Sequence, residues 1–249
     1  MWGIVPAAGV GSRIQPLAFS KELLPVGSRL DGESERPRAV SEYLVERMVL
    51  GGADRICFVV APGKSDILEY YGNRPCSAHI SFTVQQRLAG LCDAVFRAMP
   101  LIPPHEFVIV GLPDTIWFPE DALRHLGDEP LSFLLFPVDQ PERFDAVLTD
   151  AVGRVTEIRV KQTDPGSSWI WGAFKLSGET MRTLFDLWCE RGRCDEYMGT
   201  LVNAYLALGG EAVGVRAGEA YVDVGTLDGY REAIRVLSAR PVEGAGALT

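Results

Sequence analysis

Two cations stand just beyond a bare turn near the start of the chain. The stretch GIVPAAGVGSRIQPLAFSKELLP, Gly3 to Pro25, runs from a short apolar segment into Ala8-Gly9-Val10-Gly11-Ser12 and then presents Arg13 and Lys21. Glycines at the carboxyl end of a strand let the backbone take positive φ and bring its N–H groups close to an anion. Arg13 can make forked, charge-assisted hydrogen bonds to phosphate oxygens, while Lys21 supplies a compact point charge. That combination suits a polyphosphate. Two common phosphate patterns fail here: Ile14 occupies the third glycine position of GxGxxG, and no GxxxxGK[ST] occurs. A GxG turn alone is more often a tight structural turn, so the rest of the chain has to agree.

The composition sets the frame. At 249 residues, 47% hydrophobic and 23% charged, the chain has material for one large α/β domain or two small ones. A formal charge of −9 argues against a general nucleic-acid or anionic-membrane binder and confines any basic site to a local pocket. The five cysteines (Cys57, Cys76, Cys92, Cys189 and Cys194) contain no CxxC pair and read as buried free thiols in a reducing compartment. His79, His105 and His125 are scattered, which argues against structural zinc. The apolar start lacks a basic segment before it and is too short to span a bilayer, so a cytoplasmic enzyme is the expectation.

Strand-like and helical runs alternate through the first half. Trp2–Pro6, RICFVVAP, HISFTVQ and FVIVG read as strands; Val40–Leu50, about Lys64 to Tyr71, and GLCDAVFRAM read as helices. Repeated β-α-β units imply a mainly parallel sheet with helices on both faces. After Pro119, LSFLLFPV, DAVLTDAVGRVTEIRV and SWIWGAFKL read as strands, with a turn at Asp150–Gly153. Helices are expected at about Glu179–Arg191, Met198–Leu208 and Leu227–Leu237, with strands at EAVGVR and AYVDVG. Gly27–Arg38 is charge-dense and reads as an exposed loop, or as a lid over the neighbouring site. The terminal RPVEGAGALT reads as a frayed tail.

The full spacing of the opening stretch is far more specific than its turn. GxGxR followed by Pro16, Lys21 and Leu24-Pro25 resembles the signature GxGTRxxPxxxxxxKxxLP of the sugar-1-phosphate nucleotidyltransferases, with Ser12 where threonine is usual. PAAGVGSR and KELLP look closer to the uridylyltransferases for glucose 1-phosphate, and the short chain looks closer to the thymidylyltransferases. Three distant stretches match in family order. QQRLAGLCDAV resembles the segment whose glutamine and glycine backbone read a pyrimidine edge, which implies Gln85 and Gly90. VGLPDTIW and AYVDVGTLDGYREA resemble the two segments whose aspartates bind Mg²⁺, which implies Asp114 and Asp223. Magnesium takes one or two protein carboxylates and completes its shell with water and substrate phosphates.

The resemblance covers about residues 3–235. It implies a Rossmann-like three-layer α/β/α fold with a mostly parallel mixed central sheet, similar to nucleotide-diphospho-sugar transferases. It further implies one domain over residues 1–240, with a nucleotide-binding half at 1–118, a sugar-phosphate half at 119–240 and a flexible tail at 241–249. The implied reaction joins a nucleoside triphosphate, dTTP or UTP, to a sugar 1-phosphate and releases pyrophosphate. Ala8, Gly9, Gly11 and Ser12 would hold phosphates, Arg13 the departing pyrophosphate, and Lys21 the α-phosphate region. VKQTD resembles the family's EKP, so Lys161, with Arg193, is expected on the acceptor phosphate. Relatives are often homo-oligomers, but nothing here specifies a subunit number.

The acceptor half departs from the family pattern. Val160 replaces the glutamate that often binds sugar hydroxyls, Asp145 stands where a glycine is common, and EYMGT alters a usual helix start. Arg36-Pro37 follows an insertion between Leu24-Pro25 and the usual Lys-Pro. Trp169 and Trp171 could stack on a sugar ring or pack in the core. These differences leave open a cytidylyltransferase acting on a non-hexose phosphate or phosphonate, or a nucleotide-binding module without turnover.

Overall fold

The computed structural model describes residues 1–72 and 76–240; the tail expected at 241–249 lies outside them. The chain begins with β1 (Trp2–Ala7), a hairpin of β2 (Pro25–Asp31) and β3 (Ser34–Ala39), and helix α1 (Val40–Leu50). Then β4 (Arg55–Val60), α2 (Ser65–Gly72), β5 (His79–Val84), α3 (Gly90–Arg97) and β6 (Phe107–Gly111) alternate. The large strands of this half lie in the order β6-β1-β4-β5, all parallel. Parallel neighbours need crossovers, and the helices supply them.

The second half adds β7 (Thr115–Phe118), β8 (Leu131–Pro137), β9 (Asp145–Thr149), β10 (Val155–Val160) and β11 (Trp169–Ser177). Helices α4 (Gly178–Glu190) and α5 (Met198–Ala207), short strands β12 (Val213–Val215) and β13 (Ala220–Asp223), and helix α6 (Leu227–Ser238) complete it. β11 joins the halves. It pairs antiparallel with β6 and β9 along one edge and with β8 along the other, giving a mixed nine-stranded sheet.

Alternation along the strands sorts the core into two layers. Ile4 and Val108 point into a cluster with Phe96, Leu184 and Leu201, beneath α3, α4 and α5. Val5 and Ile109 point the other way, to Leu44, Met48 and Ile67 on α1 and α2. The three-layer α/β/α arrangement expected from the sequence is therefore present.

A third, smaller cluster positions the site. Leu24, Val26, Val40, Tyr43, Ile116, Phe118, Val222, Val224 and Ala233 pack the hairpin, α1 and α6 around a two-stranded antiparallel arm of β7 and β13. Gly27–Arg38 is exposed over most of its length, as expected, but it is a hairpin rather than a loop, with Arg29 and Arg38 buried. The Tyr43 hydroxyl donates to Val26 O and the Tyr230 hydroxyl to Pro25 O, so the start of β2 is held against α1 and α6. Asp31 pairs with Ser34, so Gly32-Glu33 is the two-residue turn, and Gly32 at φ +61° takes the first position, where such turns favour glycine.

The thiol expectation holds for Cys57 and Cys92, whose pKa values burial pushes up to about 11 and about 12. Cys76 and Cys189 are half-buried and Cys194 is exposed on the turn after α4, where no core lies beneath it. No helix among the described residues is long and apolar enough to cross a membrane.

Arg47 ties the arm to the main body. Its side chain is fully enclosed; Nε and Nη2 donate to Trp117 O at 3.0 and 2.7 Å, and Nη1 donates to Tyr43 O at 2.9 Å. Arg47→Met strands a buried carbonyl and is expected to cost about 2–4 kcal/mol of stability, read from urea unfolding. An unchanged midpoint would show the arm to be held by its apolar packing alone.

Candidate active site

The turn after β1 lies at the carboxyl ends of the parallel strands, where ligands of open α/β sheets bind. Ala8 is buried, whereas Gly9, Val10, Ser12 and Arg13 face solvent. Gly11 has φ +66°, and a β-carbon on it would lie 2.7 Å from Lys21 Cδ. Glycine is therefore required twice over, for the backbone conformation and for the stem of Lys21. Ile14 N donates to Gly11 O at 3.0 Å and closes the turn.

Across from this turn, the β7–β13 arm brings the two distant aspartates together. Asp223 pairs in register with Thr115, the residue after Asp114, and Val224 N donates to Asp114 O at 2.8 Å. Asp114 Oδ2 and Asp223 Oδ1 each lie 2.9 Å from the point a β-carbon on Gly225 would occupy, so both carboxylates point to one spot. Each has a cation: Lys21 Nζ reaches Asp114 Oδ2 at 2.5 Å and Arg13 Nη1 reaches Asp223 Oδ2 at 2.9 Å.

Burial acts against the charged forms of Lys21 and Asp114, but their mutual attraction wins. Burial would lower the Lys21 pKa, yet Asp114, Glu22 and Asp223 hold it above the ordinary lysine value. Burial would raise Asp114, yet Lys21 and Arg13 hold it below the ordinary aspartate value. The stability this pair contributes is present at neutral pH. It is lost as pH falls through the depressed pKa of Asp114 or rises through the raised pKa of Lys21. Among the described residues no group of three or more His, Cys, Asp or Glu forms a metal cage. Two carboxylates are the donor set that magnesium takes, so Asp114 and Asp223 fit that ion chemically.

Tyr221 links this centre to the acceptor residues. Its hydroxyl is pushed well above the ordinary tyrosine pKa, by burial first and then by Asp223, Asp114 and Asp145. Asp145 opposes Val160 in the β9–β10 ladder, and the next residue, Lys161, takes φ +47° and donates its N–H to Phe144 O. Burial raises the Asp145 pKa against the opposing pull of Lys161 and the Trp171 indole. Trp171 Nε1 acts on that carboxylate from outside hydrogen-bond geometry, since it is buried with no partner within bonding distance. The Lys161 ammonium lies 4.6 Å from the centre of the Tyr197 ring. A cleft of about 840 Å³ is lined by Arg13, Asp223, Tyr221, Phe144 and Arg143 and runs on to Glu232 and Arg235 of α6; Asp145 and Lys161 do not line it.

Not every expected residue joins the group. Arg193 caps α4 with φ +58°, its N–H donating to Trp188 O and its guanidinium over Phe185 and Trp188. Trp169 lies under Arg216, while Trp171 is core. Gln85 is turned inward, and its amide nitrogen donates to Gly90 O at 3.1 Å and Asp93 Oδ2 at 2.8 Å. It fixes the loop before α3, and reading a base with this amide requires exchange of those bonds. Gly90 has φ +83°, and a β-carbon there would lie 2.5 Å from Glu196 Cα and O.

The sequence reading passed over a buried pair next to Lys21. Glu22 is fully buried and both its oxygens accept from Lys64 Nζ at 2.8 Å. The available signal was position: Lys64 follows β4, so it too stands at a carboxyl end of the parallel sheet.

Comparison with known proteins supplies the family and the fold. The Nucleotidyl transferase family profile matches residues 2–240. The Bifunctional protein GlmU of Sorangium cellulosum is 26% identical over 92% of the chain, which spans 52% of that relative, about half its length. The UTP–glucose-1-phosphate uridylyltransferase AglF of Haloferax volcanii is 25% identical over 70% of both chains. In structure, a Bacillus anthracis protein assigned as a glucose-1-phosphate thymidylyltransferase superposes with TM-score 0.79 at 22% identity, covering 96% of each chain. A UDP-glucose pyrophosphorylase complexed with UDP-glucose superposes at 0.77, with 18% identity over 96% of this chain and 99% of that one. The profile covers nearly the whole chain, and the chain belongs to the nucleotidyl transferase family.

Proposed function

We propose that this protein joins a nucleoside triphosphate, dTTP or UTP, to a sugar 1-phosphate and releases pyrophosphate. The observation that carries this reading is the convergence of Asp114 and Asp223 on one spot beside Lys21 and Arg13, facing a bare glycine turn. The names of the relatives support the choice of uracil or thymine and of a hexose 1-phosphate.

An oxygen of the acceptor phosphate attacks the α-phosphorus in line with the departing pyrophosphate. Such a transfer asks the protein for placement and charge neutralisation more than for covalent chemistry. The N–H groups from Ala8 to Ser12 hold the phosphates, Arg13 neutralises the departing pyrophosphate, and Lys21 neutralises charge at the α-phosphate. Mg²⁺ held by Asp114 and Asp223 would supply Lewis-acid polarisation of the phosphate oxygens. With such an ion on the carboxylates, Lys21 and Arg13 would be free to neutralise the phosphates. Lys161 holds the attacking phosphate, which is already ionised near neutral pH and needs no general base.

Asp145 favours a second reading of the acceptor. A carboxylate beside Lys161, opposite Val160, suits hydroxyl or ammonium groups and extends the candidates to a cytidylyltransferase acting on a non-hexose phosphate or phosphonate. A panel of four triphosphates against glucose 1-phosphate and aminoalkyl phosphates, followed by pyrophosphate release, separates the two.

Asp114→Ala and Asp223→Ala are each expected to lower Mg²⁺-dependent pyrophosphate release at least ~10²-fold with the fold retained. Full turnover by either variant with saturating substrates defeats the assignment. Lys21→Ala is expected to reduce kcat by about 10²–10³-fold; an unchanged rate makes Lys21 a structural residue. Because Asp145 titrates above the ordinary aspartate value, kcat/KM for the acceptor should fall on mild acidification. Asp145→Asn should remove that acid limb, and its persistence in the variant would assign it elsewhere.

A further inference from the structure

Lys21 feels two carboxylates, one bonded to its ammonium and one next to it in the chain. It bonds Asp114, but Glu22, its neighbour in the chain, also acts on it electrostatically. Glu22 is fully buried and cannot be solvated, so without a partner it has to take up a proton or draw in the nearest cation. In this structure Lys64 fills that role, with its ammonium 2.8 Å from both Glu22 oxygens. Burial pushes Glu22 up and Lys64 down, the directions of an ion pair held out of water.

A second residue from the same corner holds the backbone. Asp66, in the first turn of α2, accepts from Ser20 N at 2.6 Å and from Ser20 Oγ at 2.7 Å. The corner between β4 and α2 therefore grips both neighbours of Lys21, Ser20 through Asp66 and Glu22 through Lys64. Lys21 thus stands between two held residues, and its own ammonium is placed by the bond to Asp114.

We propose that Lys64 is a positioning residue for Lys21, acting by occupying the buried Glu22 carboxylate so that Lys21 is kept from Glu22: bonded to Asp114 in the free protein, and available to substrate phosphate in turnover. The proposal rests on the reading of Lys21 as a phosphate-neutralising group. It differs from a plain packing role in one respect: the damage done by losing Lys64 should require Glu22 to be charged.

The test compares pyrophosphate release by the parent protein, Lys64→Met, Glu22→Gln and the double variant, with Mg²⁺, UTP or dTTP, and glucose 1-phosphate. Lys64→Met is expected to lose about 10²-fold in kcat, with a much smaller change in KM for the triphosphate. Glu22→Gln should remain within about threefold of the parent, and the double variant should recover at least about tenfold over Lys64→Met. A double variant as slow as Lys64→Met, or a Lys64→Met variant at parental rate, overturns the proposal. Lys64→Gln, which keeps a donor to Glu22 without charge, replaces the methionine variant if that one does not fold. A crystal structure of the Lys64 variant gives a readout independent of turnover. Lys21 is expected on Glu22, and Lys21 still seated on Asp114 overturns the idea. Failure of Lys21→Ala to slow the parent reaction is a different result, and it sinks the functional reading while leaving this structural one to be judged by the crystal.

Discussion

Two carboxylates distant in the chain, Asp114 near its middle and Asp223 near its end, are pressed toward one spot, and their repulsion has to be compensated. That constraint organises the site. Asp114 and Asp223 each hold a cation, and a third buried carboxylate, Glu22, holds another, so charges alternate from Lys64 through Glu22, Lys21 and Asp114 to Arg13 and Asp223. An unpaired member of such a row would cost several kcal/mol in a partly dry site. The row also shows how a chain of net charge −9 can present an anion-binding pocket: its local cations are balanced in pairs, and a divalent ion at the aspartates would free two of them.

The scaffold places this row with two unlike devices. The parallel strands β1 and β4 deliver Arg13, Lys21 and Lys64 on loops at their carboxyl ends, a consequence of the crossover connection itself. The aspartates come instead from the antiparallel arm, where register alone sets Asp223 against Thr115. A slip of one residue would turn Asp223 to the other face. The small cluster around Ile116, Val222 and Ala233, together with the enclosed Arg47, prevents that slip. Stability and placement of the carboxylates are thus the same problem in this part of the fold.

The region proposed for the acceptor is built differently, from the antiparallel strands β9, β10 and β11. Asp145 and Val160 face each other across one ladder, which leaves one carboxylate beside Lys161. The bulge in β11 next to Gly172 lets Tyr221 and Phe136 come close to the strand, since a β-carbon there would sit within 2.7 Å of both rings. Tyr221 is consequently shared between the two halves of the site, in contact with the electrostatic field of Asp114, Asp223 and Asp145 together.

The sequence alone determined whatever depends on local backbone chemistry and periodicity. The glycine turn, the alternation of strands and helices, the two layers of core and the order of the four motifs all follow from residue types at short spacing. Helix Val40–Leu50 was legible to the residue because its apolar period and the Gly51-Gly52 stop lie within one segment. Tertiary structure decided what distant segments do to one another. The pairing of β7 with β13, the docking of the β2–β3 hairpin on α1, the inward turn of Gln85 and the placing of Arg193 on α4 depend on contacts no local pattern encodes. The Lys64–Glu22 pair shows the reason most plainly. Each side chain alone reads as a surface charge, and only burial of the surrounding turn makes one obligatory for the other.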